Sequence, residues 1–136
     1  MKYSLRVVSV ERSLFEGEVE FMIATGAEGE LGVLARHAPL MTILKPGPLR
    51  IQETYGGTEE VIFVGGGFLE VLPERVTVLA DVAEHADEIN LEAAEDARRR
   101  AQERLAGTLT ASEETEFQNA LAMAEARLRL ARARRG

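Results

Sequence analysis

Apolar and polar positions alternate with period two near the start of the chain, where Leu5, Val7 and Ser9 interleave with Arg6, Val8 and Val10. Val19, Phe21 and Ile23 lie on one side of a second alternating run. Period-two alternation is the mark of a strand, whose successive side chains point to opposite faces. Residues 50–55 and 59–64 flank Gly56-Gly57, which predicts a hairpin, and residues 68–72 and 76–79 flank the turn pair Pro73-Glu74. Ten of the twelve glycines and all four prolines fall in this stretch, which ends near residue 82. Many short strands with such punctuation predict a sandwich or barrel.

The period changes after about residue 83. Leu91, Ala94, Ala97 or Arg98, Ala101 and Leu105 share one face of a helix over residues 90–105, with Asn90 as N-cap and Gly107 beyond its end. Glu92, Glu95 and Asp96 lie early and Arg104 late, which suits the helix dipole. Thr110 and Glu113 fit a capping box for a second helix over residues 111–135, whose seam is Phe117, Leu121, Ala124, Leu128 and Ala131. The expected architecture is therefore a β-sandwich over residues 1–84 followed by an antiparallel two-helix hairpin over residues 87–136. Alanine dominates both helical seams. Large buried side chains contribute about 1.5–3 kcal/mol each, whereas ordering each residue costs about 1–2 kcal/mol, so this hairpin is marginal alone. Alanine also favours the helix intrinsically. Helices that stay intact while changing partner and a hairpin docked permanently on the β half both fit this pattern.

The chain has 136 residues and a formal net charge of −7, a poor profile for binding nucleic acid or anionic membrane. It contains no cysteine, which excludes disulfides, thiolate nucleophiles and cysteine zinc sites. No apolar run reaches the length of a bilayer span, and the alternating N-terminus reads as a strand rather than a signal peptide. The charge is uneven: Arg127, Arg129, Arg132, Arg134 and Arg135 follow the last acid, Glu125, making a block of +5 that suggests an acidic protein partner.

No catalytic constellation is evident. His37 and His85 stand far apart and outside any metal-ligand spacing. Gly65-Gly66-Gly67 leads into a strand with no lysine nearby, which predicts a bulge or tight strand crossing instead of a phosphate loop. A hydrolase lacks its nucleophile–base pair, and a stand-alone sandwich adaptor with a basic helical tail is the alternative binding reading.

The run Gly29-Glu30-Leu31-Gly32-Val33-Leu34, followed by His37-Ala38-Pro39-Leu40, resembles the signature of the epsilon subunit of bacterial F-type ATP synthases. Phe15-Glu16-Gly17-Glu18-Val19, Gly47-Pro48-Leu49-Arg50-Ile51 and the stretch Val64 to Val71 are similar to that family in the same order, so the resemblance covers essentially the whole chain. It implies an N-terminal β-sandwich of about ten strands and two C-terminal helices, in a non-catalytic rotor subunit that couples c-ring rotation to ATP synthesis. It implies that the sandwich binds the gamma subunit and sits on the c-ring, with Glu28, Glu30, Leu31 and Gly32 at that contact and His37 at or near the same edge. It further implies that the helices either fold down on the sandwich or extend along the gamma subunit toward the alpha and beta subunits, where Arg127, Arg129, Arg132, Arg134 and Arg135 reach an acidic beta-subunit loop and inhibit ATP hydrolysis. The implied location is peripheral, on the cytoplasmic face of the bacterial plasma membrane, without insertion of this chain.

Some members of the family bind ATP through a motif of Ile or Leu, Asp, two variable residues, Arg and Ala. The aligned run is Ile89, Asn90, Leu91, Glu92, Ala93, Ala94, so Asn90 replaces the acid and Ala93 replaces the arginine. Glu84 and Arg100 match flanking positions. Loss of one charge-assisted contact, worth about 1.5–3 kcal/mol, weakens binding roughly tenfold or more, so the expectation is weak or absent ATP binding and no required cofactor.

Overall fold

The computed structural model describes residues 1–135, the side chain of Arg135 excepted. The chain divides into two compact units, residues 1–86 and 87–136.

The first unit is a sheet of eight strands: β1 (Tyr3–Ser9), β2 (Ser13–Val19), β3 (Phe21–Gly26), β4 (Gly29–Leu34), β5 (Leu40–Gln52), β6 (Glu59–Val71), β7 (Arg75–Ala80) and β8 (Ala83–His85). The hydrogen-bonded order is β2-β1-β7-β6-β5-β3-β4, with β8 pairing β6. All neighbours are antiparallel except β1 and β7. β5 and β6 are the longest, at 13 residues each, and pair along nearly their whole length. Their ladder lapses at Lys45, beside Pro46, where Gly66 and Gly67 take φ of 93° and 131°. Only glycine adopts such angles without strain. A Cβ on Gly67 would also run into the Leu79 carbonyl oxygen of β7. The glycine run is thus the tight crossing its sequence suggested, and it lets the sheet fold over on itself.

The hydroxyl of Tyr3 on β1 donates to the carbonyl of Val33 on β4 at 2.8 Å. Five strand spacings separate these two in the sheet order, about 24 Å if the sheet were flat. The sheet is therefore a sandwich closed on itself. Its core is filled from both layers, by Leu5, Val7, Val76 and Val78 on one side and Met22, Val33, Leu49 and Ile51 on the other. Because β5 and β6 each serve both layers, counting their halves separately gives the about ten strands of the family pattern.

The second unit is a helical hairpin preceded by a single 3₁₀ turn at Ala86–Glu88. Helix α1 (Leu91–Leu105) is capped by Asn90, whose Oδ1 accepts the Ala93 amide at 2.9 Å. It ends at a C-cap, Ala106, with right-handed φ of −77°, so Gly107 closes the turn without a left-handed residue. Helix α2 (Ala111–Arg135) opens with the capping box: the Thr110 amide donates to Glu113 Oε1 at 3.0 Å and the Glu113 amide to Thr110 Oγ1 at 3.2 Å. The buried positions are almost all alanine: Ala94 and Ala101 on α1, and Ala124, Ala126, Leu128 and Ala131 on α2. The sandwich core, by contrast, is built of large side chains.

Candidate functional site

The sandwich carries an apolar stripe on an outer face. Ile43 of β5 stands opposite Phe68 of β6, Phe68 opposite Leu79 of β7, and Leu79 opposite Val8 of β1. Cross-strand neighbours in register share a face, so these four side chains form one row over four strands. Ile43, Phe68 and Leu79 are 58%, 50% and 52% exposed, although each would bury cheaply. Met41, 66% exposed, lies two residues along β5 on the same face. Contiguous exposed apolar side chains are a feature of surfaces that bind a partner or ligand. Alternation did not single these residues out. The available signal was that Phe68-Leu69 and Val78-Leu79 put apolar side chains on both faces of β6 and β7, the pattern of strands covered on both sides.

The loop motif folds as the β3–β4 hairpin. Gly26 pairs with Gly29, leaving Ala27 and Glu28 at the tip. Gly29 has φ of 131°. Glu28, Glu30 and Gly32 are exposed, whereas Leu31 turns inward and packs against the core. His37 lies past the other end of β4, a strand whose six residues span about 17 Å. The His37 corner is held by its own bonds. Arg36 takes φ of 64°, its amide donates to the Pro73 carbonyl at 3.0 Å, and His37 Nδ1 lies 2.7 Å from the Ala38 carbonyl oxygen. A non-glycine residue at such an angle costs on the order of 1–3 kcal/mol and persists only where its surroundings enforce it. The structure thus gathers Glu28 and Glu30 on one hairpin and sets His37 beyond the far end of its strand.

The arginines of α2 do not form one stripe. Successive residues turn by 100°, so Arg127 and Arg134, seven apart, share one side, while Arg129 and Arg132, three apart, share another. Arg129, Arg132 and Arg134 are exposed and Arg127 is half-buried. Arg132 approaches Glu95 of α1 at 3.9 Å. The side chain of Arg135 lies outside the described residues.

Of the residues aligned with the ATP motif, Glu84 belongs to β8 of the sandwich unit, and Ile89, Asn90, Ala94 and Arg100 belong to the helical unit. Ile89 and Ala94 are buried, and the Asn90 oxygen is occupied in capping α1. A cleft of about 630 Å³ beside them is lined by Ile89, Asn90 and Leu91 with three carboxylates, Glu88, Glu92 and Glu95. That lining repels phosphates. Arg100 sits ten residues on from Asn90, about 15 Å along the helix. Among the described residues no group of three or more His, Asp or Glu side chains gathers as a metal site, and no helix is long and apolar enough to cross a membrane.

Sequence comparison places these features in context. The profile of the family described as "ATP synthase, Delta/Epsilon chain, beta-sandwich domain" matches residues 2–86. The chain is 52% identical over 101 residues to the ATP synthase epsilon chain of Psychrobacter sp. (strain PRwf-1), covering 74% of this chain and 72% of that one. It is 48% identical over 118 residues to the ATP synthase epsilon chain of Acinetobacter baylyi, covering 87% and 81%. In shape it is similar, with a TM-score of 0.79 at 24% identity over 92% of this chain and 78% of the other, to a chain of the Euglena gracilis mitochondrial ATP synthase assembly of OSCP, F1 and c-ring. A chain of the Tetrahymena thermophila mitochondrial ATP synthase central stalk and c-ring gives a TM-score of 0.70 at 12% identity, covering 96% and 97%.

Proposed function

Since the chain belongs to the ATP synthase epsilon-chain family, we propose that it works as a rotor subunit held to gamma by its apolar stripe and to the c-ring by its β3–β4 hairpin. The observation that carries this reading is the row Val8, Leu79, Phe68 and Ile43, a surface that is costly to leave in water and well suited to a permanent partner. Glu28 and Glu30 at the hairpin give a polar, acidic contact suited to a ring of loops, and Gly32 leaves room beside them for the Phe21 ring. Leu31 supports the hairpin from within. His37 serves a second contact at its own corner.

The helical unit is the regulatory part of this proposal. Its exposed Arg129, Arg132 and Arg134 present charge for an acidic loop of the beta subunits, and extension of the helices along gamma to reach that loop restrains ATP hydrolysis. The chain acts without a cofactor, on the cytoplasmic face of the bacterial plasma membrane, held there by its partners. ATP binds weakly or not at all, because Asn90 is engaged as a cap and the neighbouring cleft is lined with carboxylates.

Phe68→Glu tests the docking surface. The side chain is half exposed in the free protein, so the variant keeps its fold, and its affinity for gamma falls by tenfold or more in a binding titration. Unchanged affinity refutes the assignment. Truncation after Asp87 tests the regulatory part: hydrolysis by the reconstituted catalytic head rises, and no rise sinks the inhibitory role.

A further inference from the structure

Toward its tip the helical hairpin buries little. On α1 the last buried residue is Ala101, and on α2 the first is Ala124. Behind the tip lies an unfilled cleft of about 390 Å³, lined by Ala97, Ala101, Phe117 and Ala120 with arginines at its rim. Apolar packing therefore does little to hold the helices together in this region.

One cluster of side chains spans the gap. Arg104, in the last turn of α1, places its guanidinium carbon 4.5 Å from the centre of the Phe117 ring, and its Nη2 lies 3.6 Å from Glu113 Oε2. Glu113 and Phe117 are four residues apart, so they stack one turn above the other on the same face of α2. Glu113 is pre-set for this role by its capping box. Hydrogen bonds from the Thr110 amide and with its side chain hold the Glu113 carboxyl below the usual range and keep it charged. The cap that starts α2 thus also fixes the anion that Arg104 meets. At the opposite end of the hairpin the pair Arg132–Glu95 is looser, at 3.9 Å.

We propose that Arg104, Phe117 and Glu113 form a clasp that sets the ratio of closed to open hairpin. Resting on the inhibitory reading above, the clasp also sets how readily the protein adopts the form that restrains hydrolysis. The clasp sits on a seam of alanines, so small changes at the tip govern the whole hairpin.

The chain has no cysteine, so Glu92→Cys and Ala133→Cys, both at exposed positions, give a unique pair of spin labels on α1 and α2 of the full-length protein. Electron–electron distance measurements then read the closed and open populations. Phe117→Leu keeps the apolar bulk and removes the ring face, while Arg104→Gln removes the charge. Each raises the open-to-closed ratio about two- to fivefold, the range for an exposed cation–π contact, and Phe117→Tyr restores the wild-type distribution. Combining Phe117→Leu with Arg104→Gln adds little to Arg104→Gln alone, because removing the charge already breaks both the ring contact and the ion pair to Glu113. Far-UV circular dichroism confirms that the helices stay intact in each variant. Distance distributions that do not move in either single variant overturn the clasp. In the reconstituted catalytic head, hydrolysis falls as the open population rises. A hairpin that opens without lowering hydrolysis leaves the clasp standing and removes the inhibitory reading instead.

Discussion

Gly29 and Gly67 share the same backbone angle, φ of 131°, in two different surroundings. A Cβ built on Gly29 meets nothing within 4 Å, whereas one on Gly67 runs into the Leu79 carbonyl oxygen and lies 2.9 Å from Ala80 Cα. Replacing each by alanine therefore separates backbone strain from steric collision. Strain alone costs on the order of 1–3 kcal/mol for an L-residue in this region. Gly67→Ala adds overpacking of about 1–3 kcal/mol, and the obstacle is strand backbone that cannot swing aside. The expected cost is then about 2–6 kcal/mol at Gly67 against 1–3 at Gly29, in a domain whose total stability is about 5–15 kcal/mol. For a unit of this size each kcal/mol moves the midpoint by about 4–8 °C. Gly29→Ala accordingly lowers the melting point of the sandwich by roughly 4–24 °C, and Gly67→Ala lowers it further or prevents folding. Paired thermal and urea melts of the two variants provide the assay. Equal losses at the two positions refute the reasoning, since they leave the close crossing of β6 and β7 without energetic weight.

Three other outcomes follow from the geometry. Burial pushes the Tyr3 hydroxyl above its usual range, so the unfolded chain releases this proton first and stability falls as pH rises past about 10. Tyr3→Phe costs about 1 kcal/mol at neutral pH by losing the bond to Val33 and removes this group's share of the alkaline loss, which urea melts at pH 8 and 11 detect. Asn90→Ala removes the cap of α1 and destabilises the helical unit by about 1 kcal/mol, read as reduced helicity on heating; an unchanged melt contradicts the capping bond. Calorimetric titration with ATP gives weak or no binding, and a micromolar affinity would overturn the reading of Asn90, Ala93 and the acidic cleft.

Local signals in the sequence were enough for the helices. Asn90 and the Thr110–Glu113 pair are short-range devices, and both form with the partners their spacing requires. The glycine run was also legible as a crossing, although its cause, the approach of β7, lies in a strand more than ten residues away. Three features were hidden for physical reasons. The outer stripe escaped because Phe68 and Leu79 become neighbours only through pairing across β6 and β7. The +5 block looked uniform along the chain, but a helix distributes its residues around an axis, and Arg127 and Arg129 end up on different sides. Glu28 and His37 are close in sequence, yet a full strand of extended chain lies between them.

The bend shared by β5 and β6 has a mechanical consequence. Ile43 and Phe68 of the stripe sit on these two strands, and the same β5 continues through the bend to pair with β3, which carries the Glu28 hairpin. A force entering at one surface and leaving at the other is therefore carried along unbroken peptide backbone and its ladder of hydrogen bonds, with no sliding of one layer over the other. On the rotor reading proposed above, this makes the sandwich a stiff coupling between its two contact surfaces.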